Sequence, residues 1–325
     1  DIYRTSGQAS RSLRDSNGQR TPGSRHDPRT PAVRPEWRVE VDLHLHTTAS
    51  DGTLSPTQLV DQIASTTLRI IAITDHDSTD GVEEAGEAAA KHSNLTVIPG
   101  IELGTATNDS ELHLLGYFID IHNESLQSKL NQFRTERVDV ARAMVNKLAE
   151  IKRPVSWERV IEMADGSVGR PHIARAMVEA GHVQTVGEAF ERFLGNDGIA
   201  RFPRPKLHPV DALQMIHAAG GVGVIAHPRT VNRIEPLVKE LANAGLAGIE
   251  VYAEKYSSNK RDSYLDIATK HNLIPAGGTD FHALGAKNET VPGANGPPPD
   301  TAIKLLESAR RMHGNNIGNV PEGMS

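Results

Sequence analysis

Asp42-Leu43-His44-Leu45-His46-Thr47-Thr48-Ala49-Ser50-Asp51 sets two histidines one residue apart at the end of an alternating apolar run, with a carboxylate five positions after the second. Residues i and i+2 of a β-strand share one face. Val41 to Leu45 therefore reads as a strand that lets His44 and His46 reach a single ion. The same arrangement, a short apolar run followed by ligand-type residues, recurs at Thr74-Asp75-His76-Asp77, Ile101-Glu102, Leu112-His113, Ala226-His227 and Thr279-Asp280-Phe281-His282. A lone strand-end histidine is ordinarily a capping or core hydrogen-bond partner. Repetition of the pattern along one chain points instead to a metal site.

Outward from this stretch, short strands and helices alternate. Ser55-Pro56-Thr57-Gln58 reads as a capping box with Pro at the first helical position, opening a helix through about Ser65. A strand follows at Arg69 to Thr74, a helix at Gly81 to His92, and strands near Thr96 to Ile98 and at Glu111 to Tyr117. Between Asn123 and Lys206 the pattern becomes helical. Leu126, Leu130, Phe133, Val140, Ala141, Met144, Leu148 and Ile151 lie mostly three and four apart. Further helices start at Pro171, closed by Gly181, and at Thr185, where Thr185 and Glu188 suggest a second capping box. Alternation then resumes: helix Pro209 to Ala219, strand Val222 to Ala226, helix Glu235 to Ala244, strand Ala247 to Tyr252, helix Asn259 to His271, strand Leu273 to Ala276 and helix Thr301 to His313. Buried parallel strands with intervening helices predict an α/β barrel or a doubly wound sheet. The ligand candidates stand mainly at carboxyl ends of strands, where barrel enzymes place their active sites.

The 325 residues carry 35 Lys and Arg against 41 Asp and Glu, a net charge of −6, so no global basic field recruits nucleic acid. Phosphate recognition must come from local Arg and Lys. Absence of cysteine excludes disulfides and thiolate sites; His, Asp and Glu then supply every side-chain ligand, which suits Mn, Fe or Zn in an N/O environment. No apolar run approaches the roughly 18 residues needed to span a bilayer, and a cytoplasmic location is expected. Residues 1–38, rich in Arg, Ser, Thr, Gly and Pro, read as a disordered leader, and Asp15, Asp27 and Glu36 set it apart from an acid-poor transit peptide.

The ordered motifs are HxH followed by Asp, Asp-His-Asp, Pro-Gly-Ile-Glu, His-Leu-Leu-Gly-Tyr, Ala-His-Pro and Asp-x-His. Together they resemble the polymerase and histidinol phosphatase (PHP) superfamily of metal-dependent phosphoesterases over roughly Val39 to His282. Gly169-Arg170-Pro171-His172-Ile173-Ala174 in the helical stretch resembles the branch acting on nucleoside 3′,5′-bisphosphates and short oligoribonucleotide 5′ ends. The resemblance implies an α/β fold, a distorted (β/α)7-type barrel with an inserted all-helical subdomain. The barrel would occupy 39–122 and 207–313, the insertion 123–206 and a polar tail 314–325. It also implies a first metal held by His44, His46, Glu102 and Asp280, with Glu102 bridging to a second that takes His113 and His227. A third would take Asp51, His76 and His282. Two or three divalent ions are expected, Mn foremost, with Fe or Zn as alternatives.

Such clustering suits phosphate ester hydrolysis, because coordination lowers the pKa of water toward about 7 while neighbouring ions stabilise phosphoryl charge. Cationic anchors for the remaining oxygens are also required. Arg170, ahead of a Pro-initiated helix, is the first candidate, followed by His172, Arg175, Lys206 and Arg229, and Tyr252 as a pocket wall. Metal-bound water, Asp75 and His172 are the candidates for proton transfer, and Asp75 and Asp77 for orienting the imidazole between them. Glu250, at a strand end, reads as either an orienting or a structural residue. The leading expectation is a phosphatase for nucleoside 3′,5′-bisphosphates that also accepts short 5′-phosphorylated RNA. The partners are then small nucleotides or oligonucleotides, with no membrane and no stable DNA partner. A histidinol-phosphate phosphatase and a non-catalytic PHP binding module are the alternatives.

Overall fold

Seven strands make one sheet in sequence order that is rolled into a nearly closed barrel. The computed structural model describes residues 38–324 apart from 108–109, 165–167, 196, 203–206, 232, 254–255 and 284–289. The leader lies, except for Arg38, outside the described residues, and so does Lys206.

The first elements are β1 (Val41–Leu45), α1 (Pro56–Ala64), β2 (Ile70–Ile73), α2 (Val82–Ala89), β3 (Thr96–Ala106) and β4 (Glu111–Tyr117). The helical stretch holds α3 (Glu124–Glu150), α4 (Trp157–Ala164), α5 (Arg170–Glu179) and α6 (Val186–Ala189). Then come α7 (Pro209–Ala218), β5 (Val222–Ala226), α8 (Ile234–Asn243), β6 (Gly248–Tyr252), α9 (Ser258–Lys270), β7 (Ile274–Gly277) and α10 (Thr301–His313). The box at Ser55 forms as its sequence predicts, with Ser55 Oγ accepting from Gln58 N and Gln58 accepting from Ser55 N. At Thr185 only half of it forms, since the Glu188 carboxylate accepts from Gln184 N.

Two expectations are corrected. β3 does not stop at Ile98 but runs on to Ala106. Pro99 serves the sheet as an acceptor, its carbonyl taking Phe118 N. At Gly100 a Cβ would lie 2.7 Å from the Ile73 carbonyl, so glycine is what lets β2 and β3 come together. The strands are also not all parallel: β4 is antiparallel to both β3 and β5, while the remaining pairs are parallel. A parallel return needs a crossover of about a dozen residues; Ala106 and Glu111 are too close for one. The reversal matters for the site, because it puts His113, near the start of β4, opposite Gly104 and Ala226 at the carboxyl ends of its neighbours.

Strand faces alternate between two apolar layers. Ile71, Ile73, Val97, Leu103, Leu112, Leu114 and Ile249 pack with α1, α2, α7 and α8. On the alternate face Ala72, Ile98, Leu115, Tyr117 and Val224 join Leu305, Leu306 and Ala309 of α10. Burial on both faces explains why these strands read as near-continuous apolar runs. Closure comes from the segment after β7, where Phe281 bridges Leu45 and accepts from His46 N at 3.0 Å. The 314–324 segment is docked, with Gly318 N donating to Gly220 O and Met324 buried in the α10 layer.

With 27 residues, α3 is roughly 40 Å long. Leu126 and Leu130 in its first half pack on the barrel. Its second half, Ala141, Met144, Val145 and Leu148, belongs to a separate core with Val160, Ile173, Met177, Phe193 and Leu194. One helix thus carries the helical stretch out to the rim where the ligand candidates gather.

Candidate metal centre

All nine candidate ligands converge at that rim. Glu102, fully buried on β3, is the hub. Its Oε2 lies 3.3 Å from His44 Nε2, 3.2 Å from His46 Nε2 and 3.0 Å from His76 Nδ1. Its Oε1 lies 2.8 Å from His113 Nδ1 and 2.9 Å from His227 Nε2. Asp280 Oδ1 stands 3.3 Å from His44 Nε2 and 3.4 Å from His46 Nε2. Asp51 stands 3.4 Å from His282 Nε2, 3.9 Å from His76 Nε2 and 3.8 Å from His46 Nδ1.

The donor set fits divalent ions. Spacings near 3 Å between converging N and O atoms are those of ligands about 2.0–2.2 Å from a shared cation. Moreover, His44 Nε2, both ring nitrogens of His46 and Glu102 Oε2 are buried with no hydrogen-bond partner among the described residues. Buried polar atoms are ordinarily satisfied, so their convergence fits a site for a cation. Three groupings meet ligand spacing: His44, His46 and Glu102; His76, Glu102 and His113; and His46, Asp51, His76 and His282. His46 faces the third grouping as well as the first, which the sequence did not indicate.

Local structure aims these side chains. Asp75 accepts from Thr47 N and Thr47 Oγ1 at 2.7 Å and from Ser50 Oγ at 2.6 Å. It thereby folds residues 47–51 so that Asp51 turns back to His46. Gly52 is required there, because a Cβ would meet the His46 carbonyl at 2.6 Å. Asp42 does similar work across the barrel seam, accepting from Thr279 N, Thr279 Oγ1 and Gly293 N, and burial raises its pKa to about 6. Glu250 on β6 accepts from His227 N at 2.6 Å and sits 3.0 Å from His44 Nδ1, which fixes the His44 ring with Nε2 toward Glu102. Orienting partners of this kind typically carry 10–100-fold of metal affinity. Glu250→Gln is accordingly expected to weaken metal binding by about that factor with little loss of folding, read by competition with a chelator; unchanged affinity would reduce Glu250 to a structural residue.

Electrostatics follow from this packing. Burial pushes the Glu102 carboxyl up, but His76, His44 and His113 outweigh it and hold it well below its usual range. Burial pushes His282 down, yet Asp51 and Asp280 carry it up to about 10. His44 is likewise driven well above the ordinary value by Glu250, Glu102 and Asp280 against burial.

A cleft of about 1,090 Å³, open mouth included, lies between barrel and helical stretch. Its lining includes His76 and His113 beside Arg137, Arg170, Arg201, Glu111, Met144 and Phe202. Arg170 lines it as the sequence suggests, its guanidinium 3.9 Å from Glu111 and 5.8 Å from the Phe190 ring centroid. Arg229 is placed elsewhere, at a smaller cavity beside His227 and Asp280.

The other candidates for proton transfer and for the pocket wall are placed as follows. Asp75 accepts from Thr47 and Ser50 and so braces the ligand loop. His172 is buried, its Nδ1 accepts from Gly169 N, and burial with the charges of Arg175 and Arg137 lowers its pKa to about 4. It is therefore neutral at physiological pH, and it stands outside the cleft lining. Arg175 donates to the Asp51 carbonyl at 3.0 Å and so grips the ligand loop from α5. Tyr252 does not line the cleft: a bulge between Glu250 and Tyr252 breaks the alternation and turns it to the apolar layer near Arg261 and Asp300. Asp77 accepts from Gly104 N and pairs with Arg137, holding that arginine over the cleft.

Sequence reasoning missed Arg137, Arg201, Glu111 and the bracing role of Asp42. Strict alternation would put Asp42 on the face of His44 and His46, but a register shift between Asp42 and Leu45 breaks that alternation and leaves Asp42 at the seam. Arg137 and Arg201 gave no signal, since a charge on a helix face or in a loop reads as solvated until its neighbours are known.

A family model for the PHP domain matches residues 42–183. The 5′-3′ exoribonuclease Rnm of Salmonella typhimurium is 32% identical over 252 residues, 76% of this chain and 86% of that one. The 3′,5′-nucleoside bisphosphate phosphatase of Chromobacterium violaceum is 32% identical over 271 residues, 80% of this chain and 93% of that one. A solved structure from Bifidobacterium adolescentis, assigned to the metal-dependent phosphoesterases, superposes with a TM-score of 0.78 at 31% identity, covering 85% of this chain and 98% of that one. Motifs, barrel and relatives agree, and the chain belongs to the PHP family of metal-dependent phosphoesterases.

Proposed function

We propose that the protein removes a phosphate from nucleoside 3′,5′-bisphosphates and also acts on short 5′-phosphorylated RNA, with two or three Mn²⁺ ions held by the nine residues. The observation that carries this reading is the cleft, where the ligand cluster meets three arginines and an apolar wall of Val140, Met144 and Phe202. A nucleoside bisphosphate has the matching chemistry: one phosphate for the centre, a second for arginines, and a flat apolar base between.

When bound, the metal ions would supply Lewis acidity toward the phosphoryl oxygens and a strong nucleophile at neutral pH. The chain's own groups do the rest. Three carboxylates and six imidazoles leave a cluster loaded with divalent ions net positive, which attracts a phosphate dianion. Arg170 and Arg201, both reaching Glu111, are held on one wall of the cleft, while Asp77 holds Arg137 on another. Their planar guanidiniums suit paired hydrogen bonds to phosphate. Histidinol phosphate, whose far end is cationic, would be repelled by the same groups. The two relatives described above are named for bisphosphate and RNA substrates, which supports the reading. No helix among the described residues is long and apolar enough to cross a membrane, and a cytoplasmic location belongs to the same proposal.

The test is phosphate release by Mn²⁺-loaded protein from adenosine 3′,5′-bisphosphate, with AMP, histidinol phosphate and a 5′-phosphorylated oligoribonucleotide in parallel. The bisphosphate is expected to be preferred. Arg170→Ala and Arg201→Ala should each raise its KM by roughly tenfold, the worth of a hydrogen bond to a charged group, while leaving a simple aryl phosphate unaffected. Equal turnover of bisphosphate and histidinol phosphate, or unchanged KM in both variants, would overturn the assignment.

A further inference from the structure

Two carboxylates pair with the arginines of the cleft, and their settings differ. Asp77 has a side chain only 3% exposed, accepts from Gly104 N as well as pairing with Arg137, and stands outside the cleft lining. It is a fixed brace. Glu111, the first residue of β4, is in the lining itself, with its side chain 39% exposed. Its Oε1 accepts from Arg201 Nη2 at 2.6 Å, while its Oε2 stands 3.9 Å from Arg170 Nη2, beyond hydrogen-bond reach. One carboxylate therefore faces two guanidiniums and bonds to one of them. Arg170 has supports besides Glu111, since it also donates to the Leu194 carbonyl and lies over the Phe190 ring.

A half-exposed ion pair contributes little to stability, so holding the fold together is a poor account of Glu111. An acid on the wall of a cleft that takes up an anion also opposes binding unless it moves. A phosphate dianion carries twice the charge of the carboxylate and three acceptor oxygens, enough to satisfy both guanidiniums together. Glu111 can give way by turning about its own side-chain torsions.

We propose that Glu111 is a built-in competitor for the anchoring arginines: before substrate binds it stands where the substrate's second phosphate will lie, and it turns toward solvent when that phosphate arrives. Every anion entering the subsite must displace it, so singly charged anions are kept off the arginines and a dianion is admitted. On the way out the competition runs in the other direction. Whichever phosphate is hydrolysed at the centre, the nucleotide product keeps the one held by the arginines, and return of Glu111 to Arg201 favours its release. The inference rests on the bisphosphate reading and gives Glu111 the regulation of that same site.

Glu111→Gln keeps the shape of the side chain and an acceptor for Arg201 but removes the charge. The probe is adenosine 3′,5′-bisphosphate on metal-loaded full chain, read as KM and, separately, as Ki against p-nitrophenyl phosphate hydrolysis. Both constants are expected to fall by about fivefold in the variant, the worth of one half-exposed ion pair, and the nucleotide product should inhibit more strongly by a similar factor. Metal content and Tm should stay those of wild type. A carboxylate that only holds Arg201 in place predicts the opposite sign. A Ki that rises, or that falls by less than about twofold against that expectation, would overturn the inference. A crystal structure of the wild-type protein with the bisphosphate decides the same point by geometry: phosphate oxygens on Arg201 with Glu111 turned away are expected, and Glu111 still bonded to Arg201 would exclude displacement. Ki is defined whether or not the bisphosphate is the preferred substrate. Failure of the bisphosphate reading therefore shows as lost preference over histidinol phosphate, and failure of this one as an unmoved Ki.

Discussion

Glu102→Ala is expected to abolish hydrolysis, lowering turnover by about 10³-fold or more, and to strip the protein of metal. Both oxygens of this carboxylate are in use: Oε2 faces His44, His46 and His76, and Oε1 faces His113 and His227. It is the one residue shared by the groupings built on His44 and on His113. Its loss removes a bridging charge, leaves a cavity at the centre of the cluster, and deprives five imidazoles of their common counter-charge. Glu102→Gln separates these effects. It keeps the volume but turns an N–H₂ toward rings that need an acceptor, so it should fold yet still lose metal. Metal content by mass spectrometry, thermal melting and phosphate release, taken on the same preparations, decide the matter. A folded, metal-replete variant with near-wild-type turnover would remove Glu102 from the centre.

Residues that act through local periodicity are legible in the sequence itself. The alternation of β1 aims His44 and His46 together, and the capping signals at Ser55 place α1 within a residue of its observed ends. What is not legible depends on how elements come together. β4 runs against its neighbours because the β3–β4 connection is too short for a crossover, and only that reversal delivers His113 to the rim. A strand bulge turns Tyr252 away while leaving Glu250 inside, a one-residue slip that a period-two reading cannot foresee. Asp75 sits in the most suggestive motif of the chain, Asp75-His76-Asp77, yet its partners Thr47 and Ser50 lie 25 to 28 positions earlier. Arg137 and Arg201 reach the cleft from the helical stretch, and their partners Asp77 and Glu111 belong to barrel segments far off in sequence. Ligands are readable because each repeats a strand-end pattern. Their braces are not, because a brace is defined only by what it touches.

Metal affinity is expected to rise steeply with pH, by at least tenfold per unit between about pH 6 and 8, the slope for one proton displaced per ion. Burial lowers His282, but Asp51 and Asp280 raise it to about 10, well above the ordinary 6.5. In metal-free protein this imidazole therefore holds a proton at pH 7, and His44, raised by its own carboxylates, does the same. A cation must displace those protons. Chelator competition across this range, with calorimetry in two buffers of different ionisation enthalpy, counts the protons released, and an affinity flat from pH 6 to 8 would overturn the expectation. The sign for stability is set by the same shift. A group whose folded pKa is raised stabilises the native state fully below its unfolded value, here 6.5, and that contribution is lost as pH climbs through about 10. Metal-free protein should thus lose stability on alkalinisation toward pH 10, whereas metal-loaded protein, having already given up those protons, should not. Acidification should lower activity, because protons then compete for the ligands. Excess metal is expected to carry the acid limb of the pH–rate profile to lower pH. A limb set by a side chain that only donates or accepts a proton would stay where it is.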